Sequence, residues 1–245
     1  MANWSDPRPN AAAFASGAGV RGAAYDAGLR SYMLSVYNYM TSGILLTGIV
    51  ALGFAASGMA AQVFAGPGLL KYVFMLAPLG FVFAMSFGQG RMSAGTLQAM
   101  FWGFAVAMGL SLSTIFLQYT GTSIAGAFFA TAAGFAGLSL WGYTTKKDLS
   151  AFGTFLIMGL VGLIVASLVN LFLQSGPLSL VISMVGVLLF AGLTAYDTQK
   201  VKSMYAQVAG TEFEGRTVIM SALTLYLDFI NMFLFILRLF GSSRD

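Results

Sequence analysis

Residues 92–145 read MSAGTLQAMFWGFAVAMGLSLSTIFLQYTGTSIAGAFFATAAGFAGLSLWGYTT, 54 positions without a charged side chain. A bilayer's hydrocarbon core is about 30 Å thick, and one helix needs roughly 20 apolar residues to cross it. The stretch is long enough for two spans, and Gln118-Tyr119-Thr120-Gly121-Thr122 supplies the turn between them. Working outward, residues 31–70, 72–90 and 149–196 are uncharged runs of 40, 19 and 48 residues. They hold one, one and two spans, separated by Ala65-Gly66-Pro67-Gly68 and Gln174-Ser175-Gly176-Pro177. A last span runs to Phe240 with Asp228 near its middle. The expected fold is all-α and integral to the membrane, with seven transmembrane helices near 33–57, 69–89, 95–118, 122–143, 151–174, 178–199 and 218–240.

Composition agrees and excludes much chemistry. Of 245 residues 58% are hydrophobic and 8% charged, against about a quarter charged in a soluble domain. With no Cys there is no disulfide framework, thiol nucleophile or Cys-ligated metal; with no His there is no catalytic triad, haem ligand or imidazole switch. An enzyme is not expected, because every Lys lies at a helix end and no nucleophile–base pair is recognisable. Gly17, Gly19 and Gly22 spell GxGxxG, but no apolar strand precedes them, so the nucleotide reading fails. The twelve basic residues are scattered and form no nucleic-acid patch.

Those bases orient the chain instead. Arg8, Arg21, Arg30, Arg91, Lys146, Lys147, Lys200, Lys202 and Arg216 fall on the side of the N-terminus, and Lys71, Arg238 and Arg244 on the other. Basic connections are retained in the cytoplasm, so the N-terminus is expected inside and the C-terminus outside. Residues 1–32 read as a polar cytoplasmic tail, with Arg21 to Arg30 a candidate short helix leading into the membrane, and 33–241 as the seven-helix domain. Small pairs such as Ala105/Gly109 fit helices in close contact, and Pro78 is a candidate kink.

Two acids fall inside spans, Asp197 and Asp228. A carboxylate at mid-membrane costs on the order of 2.5–3.5 kcal/mol on insertion scales, so it normally faces a protein interior or water and marks a functional site. Ser221, Thr224, Asp228 and Asn231 are spaced by 3, 4 and 3 and share one helix face. Ser183, Gly186, Phe190, Thr194 and Asp197 form a similar stripe in span six. Two plain structural readings stand beside the functional one: Asp197 as an interfacial acid paired with Lys200 or Arg91, and Asp228 as a packing acid bonded to Asn231 and nearby hydroxyls. Asn170 reads as a packing hydrogen bond. If the acids meet, they should share a proton and titrate as a pair. Two carboxylates with hydroxyls and water would make a weak, transient Ca²⁺ site, since Ca²⁺ prefers six to eight oxygens. Contact between them requires that their depths match. At about 1.5 Å per residue, Asp228 lies some 18 Å from Arg216 while Asp197 lies only about 5–10 Å inside its expected helix, so a tilt or a longer sixth helix is required.

At these residues the sequence resembles the Bax inhibitor-1 (transmembrane Bax inhibitor motif) family, in its bacterial YccA-like branch. The matching segments are Gly192-Leu-Thr-Ala-Tyr-Asp197-Thr-Gln199, and Ala222-Leu-Thr-Leu-Tyr-Leu-Asp228-Phe-Ile-Asn231 through Arg238-Leu-Phe-Gly241. Weaker matches are Gly109-Leu-Ser-Leu-Ser-Thr-Ile115, Lys147-Asp148-Leu149 and Asn170-Leu-Phe. The resemblance implies six helices surrounding a polar seventh, and a pH-sensitive passive Ca²⁺ leak more open at higher pH. The family's paired acids correspond to Asp197 and Asp228 as gating pair and Ca²⁺ contact, with Arg91 as latch counter-charge and Thr194, Thr224 and Asn231 as polar lining. No cofactor is implied, and Ca²⁺ is the ion carried. A location in the bacterial inner membrane follows. The same branch includes modulators of the membrane protease FtsH, which makes a regulatory partner of that protease the alternative function. The N-terminal tail is its sequence hook. One departure is the connection between spans six and seven, with Glu212 and Glu214, which reads as long.

Overall fold

The computed structural model describes residues 8–244, and side chains from residue 22. Its helices are α1 (Arg8–Ala56), α2 (Met59–Ala65), α3 (Leu70–Gly88), α4 (Ala94–Leu112), α5 (Ile115–Gln118), α6 (Gly121–Thr144), α7 (Ser150–Leu173), α8 (Gly176–Val208) and α9 (Glu214–Phe240). Seven spans are long and apolar enough to cross a bilayer, α4 and α5 together making one. The break between those two falls at Ser113-Thr114, whose hydroxyls donate back to the carbonyls of Leu110 and Ser111. Such back-bonding competes with the helix ladder and loosens it. Ser93, Thr120 and Ser175 cap the starts of α4, α6 and α8, each accepting from an otherwise orphaned N–H.

α9 is the most buried span. It packs directly against α1, α4, α6 and α8, while α3 leans on α4 and α7 on α8. The seventh span is thus central, with four helices touching it and two forming an outer layer. Phe101, Phe104, Leu225 and Tyr226 are fully buried where α4 meets α9. Tyr226 meets Phe104 edge-on at 5.0 Å between ring centres, a favoured aromatic geometry. Lipid receives the outer faces, among them Phe87, Phe172 and Leu188, all exposed. The close approach expected at Ala105/Gly109 is present. The Thr47 hydroxyl donates to the Ala105 carbonyl at 2.8 Å, and a Cβ at Gly109 would stand 2.8 Å from the Thr47 carbonyl.

Three boundaries differ from the sequence reading. The first helix does not start at residue 33: Leu29 and Tyr32 are buried, and the rings of Tyr25 and Tyr32 pack on Tyr205 at 5.2 and 5.3 Å. The tail therefore joins the bundle before its predicted end, and residues 1–7 lie outside the described residues. The sixth span runs on to Val208, because Val201 and Tyr205 continue its buried stripe beyond the charged Lys200 and Lys202. The connection to the seventh span is correspondingly short. Only Ala209–Phe213 separate the helices, turned at Gly210 with φ +70° and fastened by Gly210 N–H donating to the Glu214 carboxylate at 2.9 Å.

Candidate functional site

The two intramembrane acids are placed by the long α8 and the central α9. Asp197 stands eleven residues before the end of α8 and Asp228 fourteen residues after the start of α9, depths of about 16 and 21 Å at 1.5 Å per residue. The helices run antiparallel and pack along each other, so the extension of the sixth span removes the depth mismatch in the sequence reading. The two carboxyls are near neighbours that interact across the α8–α9 contact. Both are sealed from solvent, Asp197 at 8% and Asp228 at 4% exposure. Asp228 Oδ2 is buried with no hydrogen-bond partner among the described residues. A buried, unpartnered carboxylate oxygen is costly, and its natural partners are a proton, a water or a cation.

The other predicted site residues divide. Thr194 is fully buried one turn before Asp197, its hydroxyl donating to the Phe190 carbonyl at 2.8 Å. Thr224 donates to the Met220 carbonyl at 3.1 Å and the Asn231 amide to the Leu227 carbonyl at 2.8 Å. Each uses its donor on the backbone of its own helix, and the capacity left on each oxygen is that of an acceptor. The packing role considered for Asp228, bonded through Asn231, is not the arrangement found. Arg91 lies exposed on the turn between α3 and α4. In this conformation the cation whose field reaches both carboxyls is Lys200, one turn beyond Asp197 on the same helix. Asn170 performs the expected packing, donating to Ser179 at 2.6 Å and accepting from the Ser175 N–H at 3.1 Å.

A ring of hydroxyl contacts around α9 escaped the sequence reading. Tyr32 meets Ser221 at 3.2 Å, Tyr37 meets Ser139 at 2.5 Å, Ser139 meets Thr198 at 3.0 Å, and Thr47 meets Tyr226 at 2.7 Å. Their signal in the sequence is isolated hydroxyls in apolar helices, where an unsatisfied polar group is expensive. Gln199 adds a clamp. Its amide accepts from the Leu149 N–H at 2.9 Å and donates to the Lys147 carbonyl at 2.8 Å, which pins the α6–α7 connection to α8 two residues past Asp197. Thr47→Val would leave the fully buried Tyr226 hydroxyl without that partner. The expected loss is about 1–3 kcal/mol, seen as a lower unfolding midpoint in detergent, whereas Thr41→Val, which breaks none of these contacts, should change it little.

Among the described residues no group of three or more His, Cys, Asp or Glu side chains could hold a metal. The carboxylate pair is therefore a two-acid site, suited to passing contact with a cation rather than to tight storage.

Comparison with known proteins identifies the family. The family model described as "Inhibitor of apoptosis-promoting Bax1" matches residues 29–245, beginning at Leu29, the first buried residue of α1 among those whose side chains are described. An uncharacterised protein of Rickettsia prowazekii is 48% identical over 221 residues, 90% of this chain and 93% of its own. The inner membrane protein YbhL of Escherichia coli K12 is 44% identical over 220 residues, 89% of this chain and 94% of its own. With seven spans around a polar centre and this match over most of its length, the chain belongs to the Bax inhibitor-1 family of integral membrane proteins.

Proposed function

We propose that the protein is a passive, pH-sensitive Ca²⁺ leak of a bacterial inner membrane, with the Asp197/Asp228 pair as its gate. The observation that carries this reading is the unpartnered Asp228 Oδ2, buried beside a second acid at the centre of the bundle. A shared proton satisfies both carboxyls and latches α8 to α9. Loss of that proton leaves two anions in a low-dielectric interior, which separate or take up a cation. Acceptor oxygens at Thr194, Thr224 and Asn231 would complete a transient coordination shell for Ca²⁺. The present conformation, with both acids sealed, corresponds to the latched state. Its cytoplasmic side is the one carrying nine of the twelve bases, with Arg91 available as counter-charge only after a rearrangement that brings it inward.

The test is Ca²⁺ entry into dye-loaded proteoliposomes between pH 5 and pH 8. The expected result is a saturable entry that rises with pH in the native protein and loses that rise in Asp197→Asn. Entry no faster than into empty liposomes at every pH, from protein shown to be folded, would end the leak reading. It would shift the weight to a regulatory role beside an FtsH-type membrane protease.

A further inference from the structure

The wall of the bundle is open between α1 and α6. α1 packs on α4 and α9, and α6 on α8 and α9; the Tyr37–Ser139 hydroxyl contact links the two across the gap. A cleft of about 770 Å³ lies there, between Met33 and Ile44 on one side and Ala132 and Ala136 on the other, floored by Phe229. A second cavity of about 270 Å³ shares Ile44 and Phe229 with it and continues past Ala51. From Arg30 to Ala51 is 21 residues of α1, about 32 Å at 1.5 Å per residue, the full thickness of a hydrocarbon core.

The lining is overwhelmingly apolar. Water needs two to four polar partners to be held, so hydrocarbon is the better occupant. Charge enters at one end only. Arg30 lines that end and is exposed. Tyr143 is also part of the lining, and Lys202, outside it, donates its Nζ to the Tyr143 carbonyl at 2.7 Å and stands 4.8 Å from the centre of that ring. Among the described residues no acid lines either cavity. One cation in the lining of a chain-shaped apolar slot, and a second held against the lining residue Tyr143, match an acidic lipid headgroup joined to its acyl chain.

We propose that this slot holds one acyl chain of an anionic phospholipid drawn from the surrounding bilayer, its headgroup seated on Arg30 and Lys202. The chain runs along Phe229, the residue after Asp228, and so replaces a helix neighbour that the bundle lacks on that side of α9.

The experiment is native mass spectrometry of the full chain taken from vesicles of equal phosphatidylglycerol and phosphatidylcholine into mild detergent. The expected native result is one retained phosphatidylglycerol. Ala132→Leu with Ala136→Leu fills the slot and should lose it. Arg30→Gln, at an exposed position that does not threaten folding, should lower the preference for phosphatidylglycerol over phosphatidylcholine roughly fivefold. Retention by a folded slot-filled variant at the native level overturns the proposal, and so does an unchanged headgroup preference in Arg30→Gln. Should the filled variant fail to fold, the headgroup comparison decides alone.

Discussion

Asp228→Asn is expected to make Ca²⁺ entry nearly independent of pH and, at the same time, to stabilise the protein. In the proposed gate the native pair shares one proton between two carboxyls, and its charge depends on pH. An amide in place of Asp228 carries no titrating proton, yet it presents an N–H to the Asp197 carboxylate. The pair is then fixed in an arrangement resembling its protonated form, whatever the pH. A hydrogen bond to a charged group contributes about 1.5–3 kcal/mol, and a chain of this size gains about 2–4 °C per kcal/mol. The unfolding midpoint in detergent should therefore rise by several degrees. The gain should be larger at pH 8 than at pH 5, because a gate that opens by proton loss would confront two anions only at the higher pH. Entry rates and melting curves of the native and variant proteins at both pH values check this. A variant that keeps the native pH response, or melts lower than the native protein at pH 8, removes Asp228 from the gate.

That a variant can be both inactive and more stable follows from what the sequence already displayed. Asp228 breaks the last apolar span at its most expensive point, and among the described residues no hydrogen bond satisfies its buried Oδ2: Asn231, its candidate partner, turns to Leu227. The seven spans were legible for the same reason, since so few charges in 245 residues leave the uncharged runs to measure the bundle directly. Charge was also where that reading went astray. Lys200 and Lys202 look like the end of a span, and they do stand on exposed or half-buried faces, but Val201 and Tyr205 between and after them stay buried. A helix can leave the hydrocarbon and continue as a helix, and hydropathy sees only the exit. The identity of the acids was thus readable, while their contact was not, because it depends on nine residues of helix that composition assigned to a loop. Lys200 illustrates the converse. The sequence offered both Lys200 and Arg91 as partners for Asp197, and the structure favours Lys200, one turn away on the same helix, while Arg91 stays exposed on the α3–α4 turn.

The glycines of α6 carry the same distinction to a single atom. Gly137 and Gly142 are five residues apart in one helix and equally unremarkable in sequence. Nothing lies within 4 Å of the place a Cβ would take on Gly137, whereas a Cβ on Gly142 would strike the Ala195 carbonyl and come within 3.0 Å of its Cα. Backbone cannot turn aside as a side chain can, so α6 and α8 would have to separate. Gly142→Ala is expected to destabilise by about 1–3 kcal/mol, the usual cost of overpacking. Gly137→Ala should instead be neutral or stabilising by up to about 1 kcal/mol through helix propensity. Opposite signs from one chemical change in one helix are measurable as detergent melting midpoints. The consequence for function is specific to Gly142, because Ala195 precedes Asp197 by two residues on α8. Displacing it moves one carboxyl away from the other, which should raise Ca²⁺ entry at low pH, where the proposed latch would be closed. If Gly142→Ala melts lower yet admits Ca²⁺ at pH 5 no faster than the native protein, the contact between α6 and α8 holds the fold without setting the gate.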